Sequence, residues 1–560
     1  MALAVGVGLA IARSWLCDDA FISFRYARNL VEGLGLVYNA GERVEGYTNF
    51  LWTLWCAAGL RLGISAETWA RIWGIVLYAG SLLLLWSHHR YCRRRNPENA
   101  FPFPIAMILG AALTDWAIYA TSGLETSAVT FLSLLAYVRV VQGPATGVRR
   151  SAEVGAICAL AVLTRPDAVL LLPPLGLYVF LRRRPRAASL AALAAGFAAL
   201  VVPVLLWKLS YYGQFLPNTY YAKSGGSSWW SQGFHYVGLF FRQYGVLLGG
   251  FLLLPLSVFA HRRNRSGTAP TSLLPESLLA AGIALLHIAN VARVGGDFMY
   301  ARLLIPAVPF GLILLEHGLI RLPTSPRPLR PLVAAAVLIA LLAPPSPVTD
   351  AKRSHGIVNE WMYYRSEAIQ RAYVRNAPVL RHYFAGLPVR VAFFGTEARL
   401  MYQARIPVAI ECETGLTDPE IARRPLTRRG RVGHEKPASL HYLIASRRAH
   451  FAFLSTTPSK LHMEDSIPLM KIGFDGVTGW ILRWDPEIMR ALRERGAVFE
   501  DFPGDLDRFL AGIDSLSEDQ VAEAYRMLKL FYFDSTDDAP RETPFLARLR
   551  APARVGGTVP

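Results

Sequence analysis

The chain has 560 residues, of which 53% are hydrophobic and only 18% charged, a balance too apolar for an ordinary soluble protein. The net charge is +18, but residues 1–345 hold 29 Lys and Arg against 14 Asp and Glu, whereas residues 346–560 hold 30 against 27. Because the excess lies in short loops between apolar runs, it indicates the cytoplasmic loops of a membrane protein and excludes a nucleic-acid partner.

The apolar runs predict a polytopic α-helical membrane domain over residues 1–345. Each run is roughly 15–25 residues long, enough to cross or enter a bilayer. With every Arg-rich loop placed in the cytoplasm, the chain forms about 11 transmembrane helices, with a cytoplasmic N-terminus and an extracytoplasmic tail. The predicted spans are approximately 1–16, 67–88, 101–120, 124–141, 152–164, 168–181, 187–209, 236–260, 273–292, 302–319 and 331–345. We therefore expect a multi-pass protein of the inner membrane.

Three stretches need a separate interpretation. Residues 50–62 are too short for a span and rich in Trp, so we predict an interfacial or re-entrant helix on the outer side. Residues 163–174 carry a polar Arg-Pro-Asp sequence between two apolar runs, which predicts two half-length helices meeting at a break. Residues 1–15 lack the charged start and small-residue cleavage pattern of a signal peptide and are predicted as a membrane helix.

The first predicted outer loop begins with two adjacent carboxylates, Asp18 and Asp19. Residues 20–31 follow with the period of an amphipathic helix, and Gly33 and Gly35 end it. One aspartate could serve as a helix cap, and this structural interpretation stays open. Two carboxylates beside a membrane are costly, however, and such groups usually serve a function.

Transfer of a group onto a hydroxyl needs a carboxylate that takes the hydroxyl proton and, where the leaving group is a phosphate, cations that stabilise that phosphate. Asp18 and Asp19 can supply the first function. For each cation taken alone, the structural alternative is a side chain that extends to the lipid headgroups. The cations predicted on the outer side are Arg25, Arg28, Lys223, Arg293 and Arg302.

Several loop motifs carry a family resemblance. DDAFISFRYARNL (residues 18–30) is followed by GERVEGYTN (41–49), and QFLPNTYYAK (214–223) and GGDFM (295–299) lie in later predicted outer loops. GLTD (415–418) and GHEK (433–436) lie in the tail. Together they resemble the mycobacterial-type terminal arabinofuranosyltransferases, the AftB-like family within the GT-C class of polyprenyl-phosphate-dependent glycosyltransferases.

The resemblance implies that Asp18 and Asp19 are the catalytic carboxylates, and it leaves open which of them is the base. It also implies a decaprenyl-phosphate arabinofuranose donor, an arabinan acceptor of the cell envelope and contact with membrane lipids. A single displacement helped by one base inverts the anomeric carbon, so a retaining transfer would need a second carboxylate or a dissociative route. No cofactor is required by the sequence, although Asp18 and Asp19 could recruit a divalent cation.

Other polar residues have weaker patterns. Glu45, Tyr47 and Asn49 could bind sugar hydroxyls or form a turn around Gly46, and Asn218 is equally a turn residue. Asp297 could belong to the site or cap the next span. Structural roles are favoured for Glu125 and for an ion pair between Arg165 and Asp167, while His434 is expected at the surface and His88 and His89 at the interface. The five cysteines show no metal-binding spacing, and we expect Cys17 and Cys56 to be unpaired.

Residues 346–560 predict an extracytoplasmic C-terminal α/β or α+β domain. Residues 355–383 and 517–531 have helical periodicity. Short β-branched runs predict strands at 389–394 and 406–410, and residues 442–446 and 450–454 predict a further strand-bearing unit. This domain contains no catalytic arrangement that we recognise, and residues 551–560 are expected to be disordered.

Two other functions remain open at the level of sequence. One is a different GT-C transferase that moves a polyprenyl-linked sugar onto lipid A or protein. The other is a transporter of lipid-linked sugars, although we find no paired inverted repeats of the kind typical of transporters.

Overall fold

A computed structural model describes residues 1–95, 97, 101–143, 147–223, 227–255, 273–320, 329–342, 346–348, 354–395, 397–426, 429–454 and 470–550. These residues divide into two compact units. The first comprises Met1–Val37, Arg43–Ile369 and Leu426–Glu435; the second comprises Tyr38–Glu42, Gln370–Pro425 and Lys436–Pro560. The predicted boundary at residue 345 stays a prediction.

The first unit is built from helices. In chain order they are Ala2–Ala12, Ala20–Val31, Phe50–Arg61, Ala66–Arg95, Ile105–Ala112, Thr114–Tyr119, Thr126–Val141, Val148–Thr164, Leu172–Arg182, Arg186–Tyr212, Asn218–Ala222, Trp230–Gln243, Leu248–Leu252, Leu274–Arg293, Val308–Ile320, Leu329–Leu342 and Glu360–Tyr364. Short 3₁₀ segments at Pro166–Leu171, Gly245–Leu247 and Arg302–Ala307 connect some of them.

Four helical segments in the described part of the chain are long and apolar enough to cross a membrane unaided. They are Ala66–Arg95, Arg186–Tyr212, Leu274–Arg293 and Arg302–Ile320, the last including its 3₁₀ start. Ala2–Ala12 and Thr126–Val141 are shorter apolar helices. Within the described residues, single long helices therefore do not account for the predicted count of about 11 spans, and the predicted span 101–120 is divided into Ile105–Ala112 and Thr114–Tyr119.

The predicted break near residue 165 is confirmed. Arg165 adopts an extended backbone conformation, which a residue before proline favours, and it ends the helix Val148–Thr164. A 3₁₀ segment and the helix Leu172–Arg182 follow. The chain therefore presents polar side chains between two short helices.

Glycines allow two of the membrane helices to approach closely. A Cβ atom at Gly155 would lie 2.0 Å from the carbonyl oxygen of Leu193, and one at Gly196 would lie 2.1 Å from that of Ala152. The helices Val148–Thr164 and Arg186–Tyr212 thus pack backbone against backbone, as small residues permit in membrane proteins.

The second unit contains a five-stranded mixed sheet. The strands are β1 (Arg390–Phe394), β2 (Val408–Glu411), β3 (Phe451–Leu454), β4 (Met470–Phe474) and β5 (Val477–Ile481), in the order β2-β1-β3-β5-β4. β1 pairs in parallel with β2 and β3, whereas β5 pairs antiparallel with β3 and β4. The unit is completed by the helices Glu367–Phe384, Ala398–Gln403, Pro419–Arg423, Pro486–Glu494, Phe502–Leu510, Glu518–Leu528, Asp534–Thr536 and Ala539–Arg550.

The aromatic side chains of Phe384, Phe451, Phe453 and Phe474 form the core beside this sheet. Asn39 pairs with β2 through both of its amide atoms, at 3.0 Å each to the backbone of Ala409. The predicted mixed α and β class of the tail is confirmed.

Some predicted elements are wrong. The predicted strand-bearing unit contains β3, but its first part, residues 442–446, forms a helical turn, because a short apolar run does not distinguish a strand from a helix. The hairpin of β4 and β5 was not predicted, although Asp475 and Gly476 both have positive φ and form the Asp-Gly turn typical of hairpins. His88 and His89, which we predict at the membrane interface, are both buried within the fold. The expected disorder of residues 551–560 lies outside the described residues.

Candidate active site

Asp18 and Asp19 lie at the start of the helix Ala20–Val31. Asp18 is only 4% exposed, and Asp19 is half-buried. Asp19 occupies the N-cap position, but its side chain makes no capping hydrogen bond. Instead, the backbone carbonyl groups of Asp18 and Asp19 accept hydrogen bonds from Phe21 and Ile22. Capping therefore does not explain the Asp19 carboxylate.

Contacts of Cys17 hold this carboxylate pair in place. The Cys17 amide donates to the carbonyl of Ser122 at 2.9 Å, and its thiol lies 3.9 Å from the sulfur of Met299. Cys17 and Cys56 are both free thiols, as expected. The start of the first loop is thereby fixed against the turn before Glu125 and against the Gly-Gly-Asp loop.

Glu125 is the centre of a buried polar network. One carboxylate oxygen accepts from Asn49 at 3.0 Å, and the other accepts from Arg165 and Arg302 at 3.3 Å each. Arg302 also donates to Asp297 at 3.4 Å. We call Asn49, Glu125, Arg165, Asp297 and Arg302 the Glu125 network. It joins the first loop, the break between two membrane helices and the Gly-Gly-Asp loop.

Two details complete this network. Arg165 makes a bidentate pair with Asp167 at 2.8 and 3.0 Å, so the predicted ion pair is confirmed. Asn49 accepts hydrogen bonds from Ser23 and Thr53, both at 3.1 Å, which fixes the orientation of its amide. Asn49 therefore acts as part of the network rather than as an isolated turn residue.

The Gly-Gly-Asp loop depends on its glycines. Gly296 has a φ of +73°, and a Cβ atom there would lie 2.4 Å from the ring of Tyr236. Asp297 accepts from the amide of Phe298 at 2.9 Å through one oxygen and from Arg302 through the other. The loop thus orients Asp297 towards the network.

Glu360 is a site residue that the sequence did not reveal. It is only 3% exposed and accepts from Arg431 at 3.4 Å. Burial, together with the carboxylates of Asp19, Asp18 and Asp297, raises the pKa of Glu360 to about 8, although Arg431 opposes this effect. No sequence pattern marks this glutamate, because it approaches the aspartates only through the fold.

A second polar group surrounds Glu45. Its carboxylate pairs with Lys208, which no sequence argument selected because it lies within a predicted span. The backbone carbonyl of Glu45 accepts from the amide of Asn218 at 2.9 Å, and the hydroxyls of Tyr47 and Tyr212 are 3.2 Å apart. Burial raises the pKa of the Glu45 carboxyl, and the Lys208 ammonium opposes that shift.

The predicted cations occupy different environments. Arg25 is only 2% exposed, and Arg28 is half-buried. Lys223 and Arg293 are exposed, and Arg293 donates to Asn290 on its own helix. The structure thus brings Arg302 into the Glu125 network and leaves Lys223 and Arg293 at the surface. His434, expected at the surface, is half-buried with its ring edge against Phe298.

The arrangement suits acid–base chemistry beside an anionic ligand, because carboxylates and guanidinium groups alternate in a buried setting. Within the described part of the chain, no three carboxylate oxygens of this site converge closely enough to hold a metal by themselves. A divalent cation at Asp18 and Asp19 would therefore need ligands from the substrate or from water.

No protein-family profile matches the chain. It is 31% identical over 337 residues to the terminal β-(1→2)-arabinofuranosyltransferase of Mycobacterium tuberculosis, covering 55% of this chain and 53% of that protein. It is 29% identical over 360 residues to the Corynebacterium glutamicum protein of the same name, covering 59% of this chain and 51% of that protein. The resemblance predicted from the loop motifs is confirmed, and the chain spans about half the length of these relatives.

The chain also resembles solved structures of ArnT from Cupriavidus metallidurans, one bound to undecaprenyl phosphate and one in the apo state. The TM-score is 0.53 at 15% identity, covering 86% of this chain and 96% of ArnT. This likeness confirms the predicted GT-C-type membrane fold, and with it an integral membrane protein.

Proposed function

We propose that this protein is a membrane glycosyltransferase that moves arabinofuranose from decaprenyl-phosphate arabinose to arabinan of the cell envelope. The observation that carries the proposal is the pair of carboxylates at Asp18 and Asp19. They begin a buried helix, Asp19 does not cap it, and the Glu125 network lies beside them in the fold. The names of the two relatives supply the sugar, and the ArnT fold supplies the class of lipid carrier.

In this mechanism, Asp19 is the base. Its side chain is more exposed than that of Asp18, so an acceptor hydroxyl can reach it. The carboxylate takes the hydroxyl proton as the acceptor oxygen attacks the anomeric carbon and the polyprenyl phosphate departs. Asp18 then stabilises positive charge that develops on the sugar ring or, if the transfer retains configuration, supplies the second carboxylate.

The departing phosphate needs cations. Arg302 is the cation whose charge acts on both Glu125 and Asp19, and Arg25 and Arg28 lie on the helix that follows the aspartates. We assign these three arginines to the donor phosphate. The exposed side chains of Lys223 and Arg293 suit lipid headgroups or the acceptor.

The sugar hydroxyls need acceptors and donors held in a fixed orientation. Glu45 pairs with Lys208 and accepts from the amide of Asn218, and the hydroxyls of Tyr47 and Tyr212 contact one another. Asn49 and Asp297 belong to the Glu125 network. We assign these side chains to recognition of the sugar and to positioning of the site. The reaction would take place on the extracytoplasmic side, with the Arg-rich loops in the cytoplasm.

The proposal is tested by offering the purified protein a panel of polyprenyl-phosphate sugars with an oligoarabinoside acceptor. We expect extension of the acceptor with arabinofuranose and no extension with hexose or aminoarabinose donors. The anomeric configuration of the new linkage, read by NMR, distinguishes inversion from retention. Transfer of another sugar to lipid A or protein, without arabinose transfer, would instead place the protein with the other GT-C transferases.

A further inference from the structure

Three potential metal ligands meet at a point that the candidate active site does not use. His88 and Cys92 lie four residues apart on the helix Ala66–Arg95, and His317 lies on the helix Val308–Ile320. The Nε2 atoms of His88 and His317 are 3.0 Å apart, and the Cys92 sulfur is 3.5 Å from each. The three side chains are 2%, 0% and 1% exposed.

These distances match the edges of a tetrahedral zinc site. Zinc binds imidazole nitrogen at about 2.0–2.1 Å and thiolate sulfur at about 2.3 Å. In a tetrahedron, those bonds place two nitrogens about 3.3 Å apart and each nitrogen about 3.6 Å from the sulfur. The observed triangle differs from this by a few tenths of an ångström, and residues at i and i+4 on a helix share the face that such a site requires.

The surroundings orient the ligands. Nδ1 of His317 lies 2.8 Å from the Ser277 hydroxyl, a contact of the kind that orients a metal-binding imidazole. Among the described residues, Nδ1 of His88 has no hydrogen-bond partner, and the polar contacts of this buried ring are made through Nε2, which faces the triangle. Next to this group, His89 and Glu316 pair at 2.6 Å between the same two helices.

We propose that His88, Cys92 and His317 bind Zn²⁺, with water in the fourth position. Imidazole and thiolate together favour zinc over magnesium or calcium, which prefer oxygen ligands. Binding releases the thiol proton of Cys92 to solvent and joins two helices whose ligands are 225 residues apart in sequence. The site shares no residue with the Glu125 network and its ligands join two separate helices, so we expect bound zinc to raise the stability of the fold rather than to take part in transfer.

The test uses the full chain, purified in detergent without a polyhistidine tag. Metal analysis should find about one zinc per chain. After chelation, added Co²⁺ should give the visible absorption of a tetrahedral site with a thiolate-to-cobalt charge-transfer band. Cys92→Ser should abolish that band, whereas Cys158→Ser, which removes another buried cysteine, should leave it unchanged.

Ser277→Ala should retain the band but lower the metal affinity about 10–100-fold, because it removes the hydrogen bond that orients His317. Absence of both zinc and a cobalt–thiolate band in folded wild-type protein would overturn the proposal without any variant. Equal zinc in wild type and Cys92→Ser would also overturn it, because the ion would then be bound elsewhere.

Discussion

Arg302 is the residue on which the buried charges of the candidate site depend most. It is the cation shared by Glu125 and Asp297, at 3.3 and 3.4 Å. A buried ion pair contributes little net stability compared with an apolar pair, but removing one partner leaves a buried charge uncompensated. The side chain is therefore required for stability as well as for the proposed phosphate contact.

We expect Arg302→Met to lower the free energy of unfolding by about 3–5 kcal/mol, because Glu125 and Asp297 lose their common partner. Adding Glu125→Gln should recover part of this loss, since one of the two buried charges is then removed. Denaturant unfolding in mixed micelles measures both effects. If the double variant loses as much free energy of unfolding as the two single variants together, Arg302 and Glu125 are not coupled.

Glu360 gives the site a pH-dependent stability. Its pKa is raised from 4.5 to about 8 by burial and the nearby carboxylates, so between these values the folded chain retains a proton that the unfolded chain has lost. The contribution of Glu360 to the free energy of unfolding therefore falls as pH rises through this window. The contribution is greatest below pH 4.5.

Glu360→Gln should remove this contribution, because glutamine does not ionise. We expect the melting temperature of wild type to fall relative to that of the variant between about pH 5 and about pH 8. Thermal unfolding in detergent at the two pH values measures the difference. If the melting temperatures of wild type and Glu360→Gln change by the same amount between the two pH values, Glu360 is not protonated at neutral pH.

The sequence predicts correctly the helices and breaks whose ends are set by nearby residues. The helix Ala20–Val31 has the predicted bounds, because its amphipathic period ends at Gly33. The break before Pro166 follows from the chemistry of proline. Hydropathy does not show where a span is divided, so the division of residues 101–120 into Ile105–Ala112 and Thr114–Tyr119 was not anticipated.

The candidate site was predictable only where its residues lie in a loop motif. Asp18, Asp19, Asp297 and Arg302 were selected in that way. Glu360 and Lys208 lie in no sequence motif. The packing of distant segments brings Glu360 to the Asp18–Asp19 pair and Lys208 to Glu45. Contacts between such distant segments can be identified only from the folded structure.

At the scale of the whole molecule, the charge asymmetry predicts the membrane orientation. The Arg-rich loops carry the positive excess, so we expect these loops in the cytoplasm and the C-terminal domain outside. Because all five native cysteines are buried, single introduced cysteines can report accessibility. Arg149 and Asp514 are exposed and suit this purpose.

We expect Asp514→Cys to react with a membrane-impermeant maleimide on intact cells, and Arg149→Cys to react only after lysis. The wild-type chain is the control for labelling of native thiols. Labelling of Arg149→Cys on intact cells, with protection of Asp514→Cys, would reverse the proposed orientation and with it the side on which transfer takes place.

The proposed function depends on Asp18 and Asp19 as the catalytic carboxylates. Asp115→Asn is a matched control, because Asp115 is as buried as Asp18 but accepts its hydrogen bond from Tyr244, outside the Glu125 network. The deciding measurement is the rate of arabinofuranose transfer by wild type and by Asp18→Asn, Asp19→Asn and Asp115→Asn, each confirmed to be folded.

We expect Asp19→Asn to lose about 10²–10⁴-fold in transfer rate, Asp18→Asn to be strongly impaired as well and Asp115→Asn to stay near the wild-type rate. Transfer at the wild-type rate by both Asp18→Asn and Asp19→Asn would show that neither carboxylate is catalytic.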